Sequence, residues 1–314
     1  ITKELVTIPY DLEAAQKDGY DTFMLKEIYE QPHVIQETLR GRIIEDKIVL
    51  DELQDIDFKD YNKVYFVACG TAYHATLCGS QVLERTTKLP VNTMVASEFR
   101  YNDPLIDKHT LAIFVSQSGE TADTLAALRL AKEKGATTIA IANVLGSTIS
   151  RDADYVLYTC AGPEIAVAST KAYTTQLVLL ILLAYYVAQV LEKNIDHELI
   201  DQLNTIPQYV ENILNDHAIF ENYAKMLENL HDAYFIGRSL DYASVLEGAL
   251  KLKEVSYVHA DAYVAGELKH GPIALIEEGS VVIAVATQPH IAAKTMSNIQ
   301  ETIARGANVI LLTT

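Results

Sequence analysis

Tryptophan is absent from the 314-residue sequence, and cysteine and positive charge are both scarce. The 25 Lys and Arg residues are outnumbered by 42 Asp and Glu, and the formal net charge of −17 argues against a nucleic-acid or anionic-membrane partner. An anionic ligand would have to be held by local dipoles and hydroxyl groups. The three cysteines show no metal-binding spacing, so we expect Cys69, Cys78 and Cys160 to be small core residues in a reducing, cytoplasmic compartment.

Common ligand-binding and catalytic motifs are missing as well. The sequence has no GxGxxG after a predicted strand, no Walker GxxxxGK followed by Ser or Thr, no GxSxG elbow and no HExxH. These absences exclude the simplest dinucleotide-binding, kinase, hydrolase and zinc-protease assignments. The longest apolar run, LVLLILLAYYVA, has 12 residues, which is too short to span a bilayer and predicts a buried helix. Because the chain begins ITKEL, with neither Met nor a signal peptide, we interpret it as a fragment of a longer protein.

Four segments recur in the same order about 170 residues further along the chain, which predicts a duplicated domain. The matching pairs are KVYFVACG with DAYFIGRS, SEFRYND with GELKHGP, TLAIFVSQ with SVVIAVAT, and LAKEKGATTIAIA with TIARGANVILLT. Continuous apolar strands alternate with helical patterns, as is typical of a parallel sheet covered on both faces. The sequence therefore predicts an α/β fold with two tandem doubly wound domains. We place a helical lead-in at 1–45, the first domain at 46–195 and the second at 196–314.

Three predicted strand ends in the first copy carry hydroxyl side chains where a helix begins. These side chains are Thr71; Ser116, Ser118 and Thr121; and Ser169 and Thr170. Ligands bind beyond the carboxyl ends of parallel strands, and the unpaired N–H groups of a helix N-terminus attract anions. Gly119 would let the backbone approach such a ligand closely. Ordinary helix capping by Ser and Thr is the alternative, but three hydroxyl-rich loops at one sheet edge favour an anion site.

The second copy loses that pattern and carries different chemistry. Its equivalent loop, ATQPHIAAKT, lacks the Ser-x-Ser-Gly sequence. The predicted helix at 242–260 is apolar around most of its circumference, while Glu247, Lys251 and Glu254 share a stripe about 60° wide. A desolvated Glu254 would have the raised proton affinity of a general base. The alternative is an exposed ion pair between Glu247 and Lys251.

One histidine loop adds a second candidate for acid–base chemistry. GELKHGP places Glu267 and His270 at the Glu-x-x-His spacing of di-iron proteins. Because no second pair accompanies them, we expect no metal and no cofactor, and assign His270 to acid–base chemistry.

The motifs SQSGETADT, ASTKAYTTQ, EGALKLKE and AGELKHGP together resemble the sugar isomerase (SIS) domain family. More specifically, they resemble the isomerase part of the glucosamine-6-phosphate synthases, over nearly the whole chain from KEIYEQP at 26–32 to the end. The resemblance implies a homodimeric enzyme of amino-sugar biosynthesis. Such enzymes convert fructose 6-phosphate to glucosamine 6-phosphate by ketose–aldose isomerisation, with ammonia from a glutaminase domain of the same chain; glucose 6-phosphate is a related ligand.

The resemblance also implies roles for individual residues. The expected phosphate-binding residues are Ser116, Gln117, Ser118 and Thr121, with Thr71 nearby, and the expected sugar contacts are Val167 and Ser169. Glu254 is expected to move the proton between C1 and C2 with help from Lys251. His270 is expected to open the sugar ring, reaching the site from the neighbouring subunit.

Three departures from the family pattern limit what these 314 residues are expected to do. Ala72 replaces a serine that some members carry beside the phosphate. The glutaminase domain and the C-terminal tail with its active-site lysine lie outside the sequence, so we expect sugar-phosphate binding with little or no turnover. A non-catalytic SIS sugar-phosphate sensor and a stand-alone phosphosugar isomerase are the alternative functions.

Overall fold

A computed structural model describes residues 16–314, which divide after Leu214 into two units, each with its own parallel sheet. The helices of the first unit are α1 (Phe23–Tyr29), α2 (Gln31–Leu39), α3 (Gly70–Thr87), α4 (Ala96–Phe99), α5 (Ala122–Glu133), α6 (Thr148–Asp152), α7 (Lys171–Val190), α8 (His197–Leu203) and α9 (Ile206–Leu214). Its strands are β1 (Ile43–Ile44), β2 (Lys47–Ile48), β3 (Lys63–Ala68), β4 (Val91–Val95), β5 (Thr110–Ser116), β6 (Thr137–Ala142) and β7 (Tyr155–Tyr158).

The five-stranded sheet of the first unit has the order β4-β3-β5-β6-β7 with all strands parallel, and β1 and β2 form a separate antiparallel hairpin. All seven residues of β5 are buried, as expected for a central strand covered on both faces. Side chains alternate between those faces. Val64 and Phe66 of β3 belong to the core that contains the leucines of α7, while Tyr65 and Val67 pack with α5.

Helix α7 is longer than the apolar run that predicted it. It has 20 residues, and an 18-residue window with a mean hydropathy of 1.5 makes it, among the described residues, the one helix able to cross a membrane by length and composition. Core helices meet the same criteria. In this protein 61% of that window is buried and the helix packs in the core of the first unit, in agreement with the predicted buried helix.

The second unit repeats the topology of the first. Its helices are α10 (His217–Leu227), α11 (Leu240–Ser256) and α12 (Pro289–Ile303), and its strands are β8 (Asp232–Gly237), β9 (His259–Val264), β10 (Val281–Ala286) and β11 (Asn308–Thr313). The parallel order β9-β8-β10-β11 matches β4-β3-β5-β6 strand for strand. The predicted fold class, two tandem α/β domains with parallel sheets, is therefore confirmed.

Some details differ from the expectations. The division after Leu214 places α8 and α9 with the first unit, later in the chain than the predicted domain start at 196. Residues 1–15 of the predicted lead-in lie outside the described residues.

The prediction that all three cysteines lie in the core is wrong for Cys160, which is exposed, whereas Cys78 is buried and Cys69 is partly buried. Cys160 follows the end of β7 with a φ of 58°, and this turn directs it away from the core.

Close packing of α3 on α7 yields a first prediction. A Cβ atom on Gly79 of α3 would lie 2.8 Å from the Cβ of Leu180, so Gly79→Ala must push the helices apart. We expect the free energy of unfolding in urea to fall by about 1–2 kcal/mol, because overpacking outweighs the gain in helix propensity. The control Glu133→Ala, at an exposed position of α5, should change it by less than about 0.5 kcal/mol. Unchanged or increased stability of Gly79→Ala would contradict the packing argument.

Candidate functional site

Two neighbouring strands end at the same edge of the first sheet, and each leads into a helix. Ala68 of β3 lies opposite Val115 of β5. β3 continues through Cys69 into α3, and β5 continues through a short loop into α5. In parallel sheets this carboxyl edge is where ligands bind.

A cavity of about 260 Å³ opens at this edge. It brings together all seven predicted binding residues: Thr71, Ser116, Gln117, Ser118, Thr121, Val167 and Ser169. The rest of its wall is formed by Cys69, Ala72, Val115, Thr124, Glu164, Ala166 and Gln176. Sequence reasoning missed the polar members of this second group. Among residues 16–314, the one charged side chain in the lining is Glu164, and no cationic side chain of these residues lines the cavity.

The loop after β5 is fixed by hydroxyl contacts. The Oγ of Ser116, which is buried, accepts a hydrogen bond from the Gly119 amide at 3.0 Å and lies 3.1 Å from the Thr121 Oγ1. The Ser118 Oγ accepts from the Glu120 amide at 3.2 Å, which leaves its hydroxyl proton free to point elsewhere. Gly119 has a φ of 66°, and a Cβ there would lie 2.2 Å from the Ser147 Oγ. The loop therefore requires glycine at this position.

The helix-capping alternative is not supported at α3 and α5, two of the helices that border the cavity. Thr121 is the N-cap residue of α5, but no side chain caps that helix, and none caps α3 either. The first turns of both helices line the cavity through Thr71 and Thr124. Each helix N-terminus carries a partial positive charge of about half a unit. Two such ends together with several hydroxyls form a neutral environment suited to an anion.

A loop of residues 164–170, here called the strap, forms the third side of the cavity. Glu164 accepts hydrogen bonds from the amides of Thr170 and Ala172 at 3.0 and 3.1 Å, and from the Ser169 hydroxyl at 2.9 Å. Its carboxylate thereby caps α7 and orients Ser169. Glu27 of α1, which is buried, accepts from two more amides of the strap, those of residues 165 and 166, at 2.6 and 3.1 Å. Two carboxylates thus fix the strap through its backbone.

The predicted acid–base residues lie in the second unit. The Lys251 ammonium is 2.5 Å from a carboxylate oxygen of Glu254 and 3.3 Å from one of Glu247. The prediction that Glu254 is desolvated is wrong: its side chain is 34% exposed, whereas that of Glu247 is 6% exposed. Glu254 lies in the last turn of α11, where the helix leaves the sheet. His270 is also exposed, at the end of a 3-10 helix spanning Ala265–His270.

The second unit holds a carboxylate of its own at the edge that corresponds to the cavity. Asp241 stands four residues after the end of β8, as Ala72 stands four residues after the end of β3. It is buried, and its carboxylate accepts hydrogen bonds from the amide and hydroxyl of Thr287 at 3.1 and 2.5 Å. The chain itself therefore supplies an anionic group to the donors at this edge.

The model of the SIS domain matches this chain twice, over residues 57–186 and 226–314. The chain belongs to the SIS domain family. The two matches fall on the two structural units, and each SIS repeat contains one parallel sheet. The duplication inferred from the four recurring segments is thereby confirmed.

Relatives of this SIS chain include the glutamine–fructose-6-phosphate aminotransferase (isomerizing) of Clostridium tetani, 55% identical over 99% of this chain and 52% of the relative. The enzyme of the same name from Thermus thermophilus is 45% identical over 100% of this chain and 52% of its own length. The chain thus spans about half the length of these curated relatives. The C-terminal domain of glucosamine-fructose-6-phosphate aminotransferase from Francisella tularensis has the same fold, with a TM-score of 0.91 and 39% identity over 95% of this chain and 85% of that one. The resemblance recognised from the four motifs is confirmed.

The turn at Gly119 yields a prediction with a matched control. Gly119 and Gly146 both have a φ of 66°, but a Cβ on Gly146 would meet nothing within 4 Å. Gly119→Ala should therefore combine backbone strain with a clash that displaces the Ser116 turn, while Gly146→Ala adds strain alone. We expect Gly119→Ala to weaken binding of inorganic phosphate, measured by calorimetry, at least about tenfold more than Gly146→Ala. Equal affinities of the two variants would contradict a role for this turn.

The buried carboxylate of Glu27 yields a prediction for pH. Burial raises the pKa of Glu27 above its ordinary value of 4.5, and the two amide hydrogen bonds oppose this only in part. The folded protein binds this proton more tightly than the unfolded chain does, so protonation of Glu27 adds to the free energy of unfolding. This contribution is fully present below pH 4.5 and is lost as the pH rises through the pKa that Glu27 has in the folded protein. Because glutamine does not ionise, the free energy of unfolding of Glu27→Gln should not show this decrease as the pH rises.

The contrasting variant for that measurement is Glu120→Gln. The hydrogen bond from the Thr148 amide lowers the pKa of Glu120, so its contribution has the opposite sign and is lost as pH falls. Urea unfolding of both variants between pH 4 and 8 checks the two signs. A Glu27→Gln profile parallel to the wild type would contradict the assigned effect of burial.

Proposed function

We propose that the chain binds a sugar phosphate in the first-unit cavity and performs the sugar-isomerising half of the glutamine–fructose-6-phosphate aminotransferase reaction. The observation that carries the proposal is the convergence of seven predicted binding residues on one hydroxyl-lined cavity, at two helix N-termini whose N-cap side chains make no capping hydrogen bond. The names of the relatives at 45–55% identity support the same substrate, fructose 6-phosphate. The products would be glucosamine 6-phosphate with ammonia, or glucose 6-phosphate without it.

The proposed orientation follows from charge. The phosphate belongs against the loop of Ser116–Thr121, where helix dipoles and hydroxyl donors meet its oxygens. The cavity wall also contains the Glu164 carboxylate, which would repel a phosphate. The sugar part therefore belongs beside the strap, near Val167 and Ser169.

Ketose–aldose isomerisation needs a base that removes a proton from C1 and returns one to C2, with no net oxidation. We assign this transfer to Glu254, whose carboxylate is accessible and ion-paired with Lys251 at 2.5 Å. We assign ring opening to His270, contributed by the neighbouring subunit of a homodimer. Ammonia would come from a glutaminase domain of the full-length protein, in the cytoplasm.

Binding is tested with Ser118→Ala in the 314-residue chain. The Ser118 hydroxyl is free to donate to a phosphate oxygen, and hydrogen bonds to charged groups are among the stronger ones in proteins. We expect the Kd for fructose 6-phosphate, measured by calorimetry, to rise about tenfold. Ser244→Ala, on the exposed side of α11, is the matched control and should leave the Kd unchanged. Wild-type affinity in Ser118→Ala would contradict the phosphate assignment.

Catalysis is tested with Glu254→Gln in the full-length gene product. We expect isomerisation between fructose and glucose 6-phosphates to fall by at least about 100-fold, since a positioned base contributes that much or more, with substrate binding retained. Glu221→Gln, at an exposed position of α10, serves as control. Wild-type rates in Glu254→Gln would refute the base.

The same assays separate the alternative functions. A sensor would bind fructose 6-phosphate without turnover even in the full-length protein. A stand-alone isomerase would interconvert the two hexose phosphates but form no glucosamine 6-phosphate from glutamine or ammonia.

A further inference from the structure

One polar side chain in the cavity wall has no part in the recognition described so far. Gln176 of α7 lines the cavity and is 2% exposed, yet its side-chain oxygen accepts no hydrogen bond within residues 16–314. The two other buried polar side chains at the start of the same helix are satisfied. Lys171 pairs with Glu30 at 2.7 Å, and the Thr175 hydroxyl donates to the carbonyl of Lys171 at 2.9 Å.

An unsatisfied amide is costly in this position. Burying an amide oxygen without a partner is unfavourable, and the rest of α7 consists largely of leucine and other apolar residues that would pack there without that penalty. A side chain that destabilises the empty cavity and borders its interior is suited to meet a ligand. The atom that lacks a partner then specifies the chemistry of the ligand.

The unpaired atom is an acceptor, so its partner must be a donor. A phosphate dianion offers oxygens that only accept, whereas a sugar offers hydroxyl groups that donate. The strap residues Glu164 and Ser169 and the α7 residue Gln176 all line the cavity, apart in sequence from the Ser116–Thr121 loop. With the phosphate against the Ser116–Thr121 loop, as proposed above, the Glu164 carboxylate and the Gln176 carboxamide remain as acceptors for the sugar.

We propose that Gln176 is a sugar-recognition residue whose carboxamide binds a hydroxyl group of the substrate, so that the cavity distinguishes sugar phosphates from other phosphates. The inference rests on the proposed function and adds the group that selects the sugar. The amide nitrogen of the same side chain can donate to a second sugar oxygen. A site built around such a buried amide rejects ligands that lack the matching hydroxyl, because the amide is then left unpaired.

The test compares two ligands on near-isosteric variants. Gln176→Leu and Gln176→Met keep the side-chain volume and remove the amide, and thermal unfolding verifies that each variant is folded. We expect the Kd for fructose 6-phosphate to rise about tenfold, equivalent to about 1.4 kcal/mol, while the Kd for inorganic phosphate changes less than about twofold. In the wild type, one of a series of monodeoxy fructose 6-phosphates should lose a similar factor. That analogue should show no further loss in Gln176→Leu.

The control variant separates this proposal from the function it rests on. Ser118→Ala should weaken both inorganic phosphate and fructose 6-phosphate. One outcome is that Ser118→Ala weakens both ligands while both Gln176 variants bind fructose 6-phosphate as tightly as the wild type. That outcome refutes the role of Gln176 and leaves the sugar-phosphate site supported. Equal weakening of both ligands in the Gln176 variants also refutes selective sugar recognition. A wild type that binds fructose 6-phosphate no more tightly than inorganic phosphate refutes both.

Discussion

The hydrogen bond from the Gly119 amide to the Ser116 hydroxyl is the contact on which the candidate site depends. It closes the turn after β5, and this turn sets where α5 begins and where the hydroxyls of residues 118 and 121 lie. The turn is possible only because Gly119 has no side chain to meet Ser147. A single backbone-to-hydroxyl hydrogen bond thus shapes the end of a buried strand into the loop that we propose binds the phosphate.

The protein solves an electrostatic problem without cationic side chains. A chain with a net charge of −17 repels a phosphate at long range, and no Lys or Arg in the described part of the chain lines the cavity. In the proposed site, attraction would come instead from aligned peptide dipoles at the starts of α3 and α5. The acidic residues nearest to the cavity act on the backbone: Glu164 and Glu27 accept amide hydrogen bonds and hold the strap. The carboxylates thus hold the strap in place, while the helix dipoles would supply the affinity for the proposed phosphate.

Much of this arrangement follows from local patterns in the sequence. Alternating strands and helices predict the parallel sheets, and the rule that ligands bind at carboxyl edges predicts that the loops containing Thr71 and Ser116 meet. The contributions of Glu164 and Gln176 depend on how the strap folds back onto the sheet, which no periodicity reveals. Gln176 in particular stands at the edge of an apolar run and resembles an ordinary polar residue of a helix end. The hydroxyls of Ser169 and Thr170 point to the strap from the residue pattern, and only the family resemblance adds Val167.

The error over Glu254 has a similar origin. A helical wheel places it in one stripe with Glu247 and Lys251, but a wheel does not record where the helix leaves the sheet. Glu247 lies mid-helix and is buried, whereas Glu254 lies in the last turn and reaches solvent. The sequence determines which charged residues share one face of the helix. How deeply each of them is buried depends on how the helix packs on the sheet.

Because of Asp241, the stabilities of the two repeats would depend differently on the ligand concentration in solution. In the second unit the donors at the sheet edge are permanently occupied by a covalently attached carboxylate, so that edge is complete at any solute concentration. In the first unit Ala72 offers no such group, and the proposed sugar phosphate would complete the corresponding edge. By mass action, a ligand that binds only the folded form stabilises the unit that contains its site. The concentration of the ligand in solution would therefore change the stability of the first repeat. The stability of the second repeat, which has the same fold, would not depend on it.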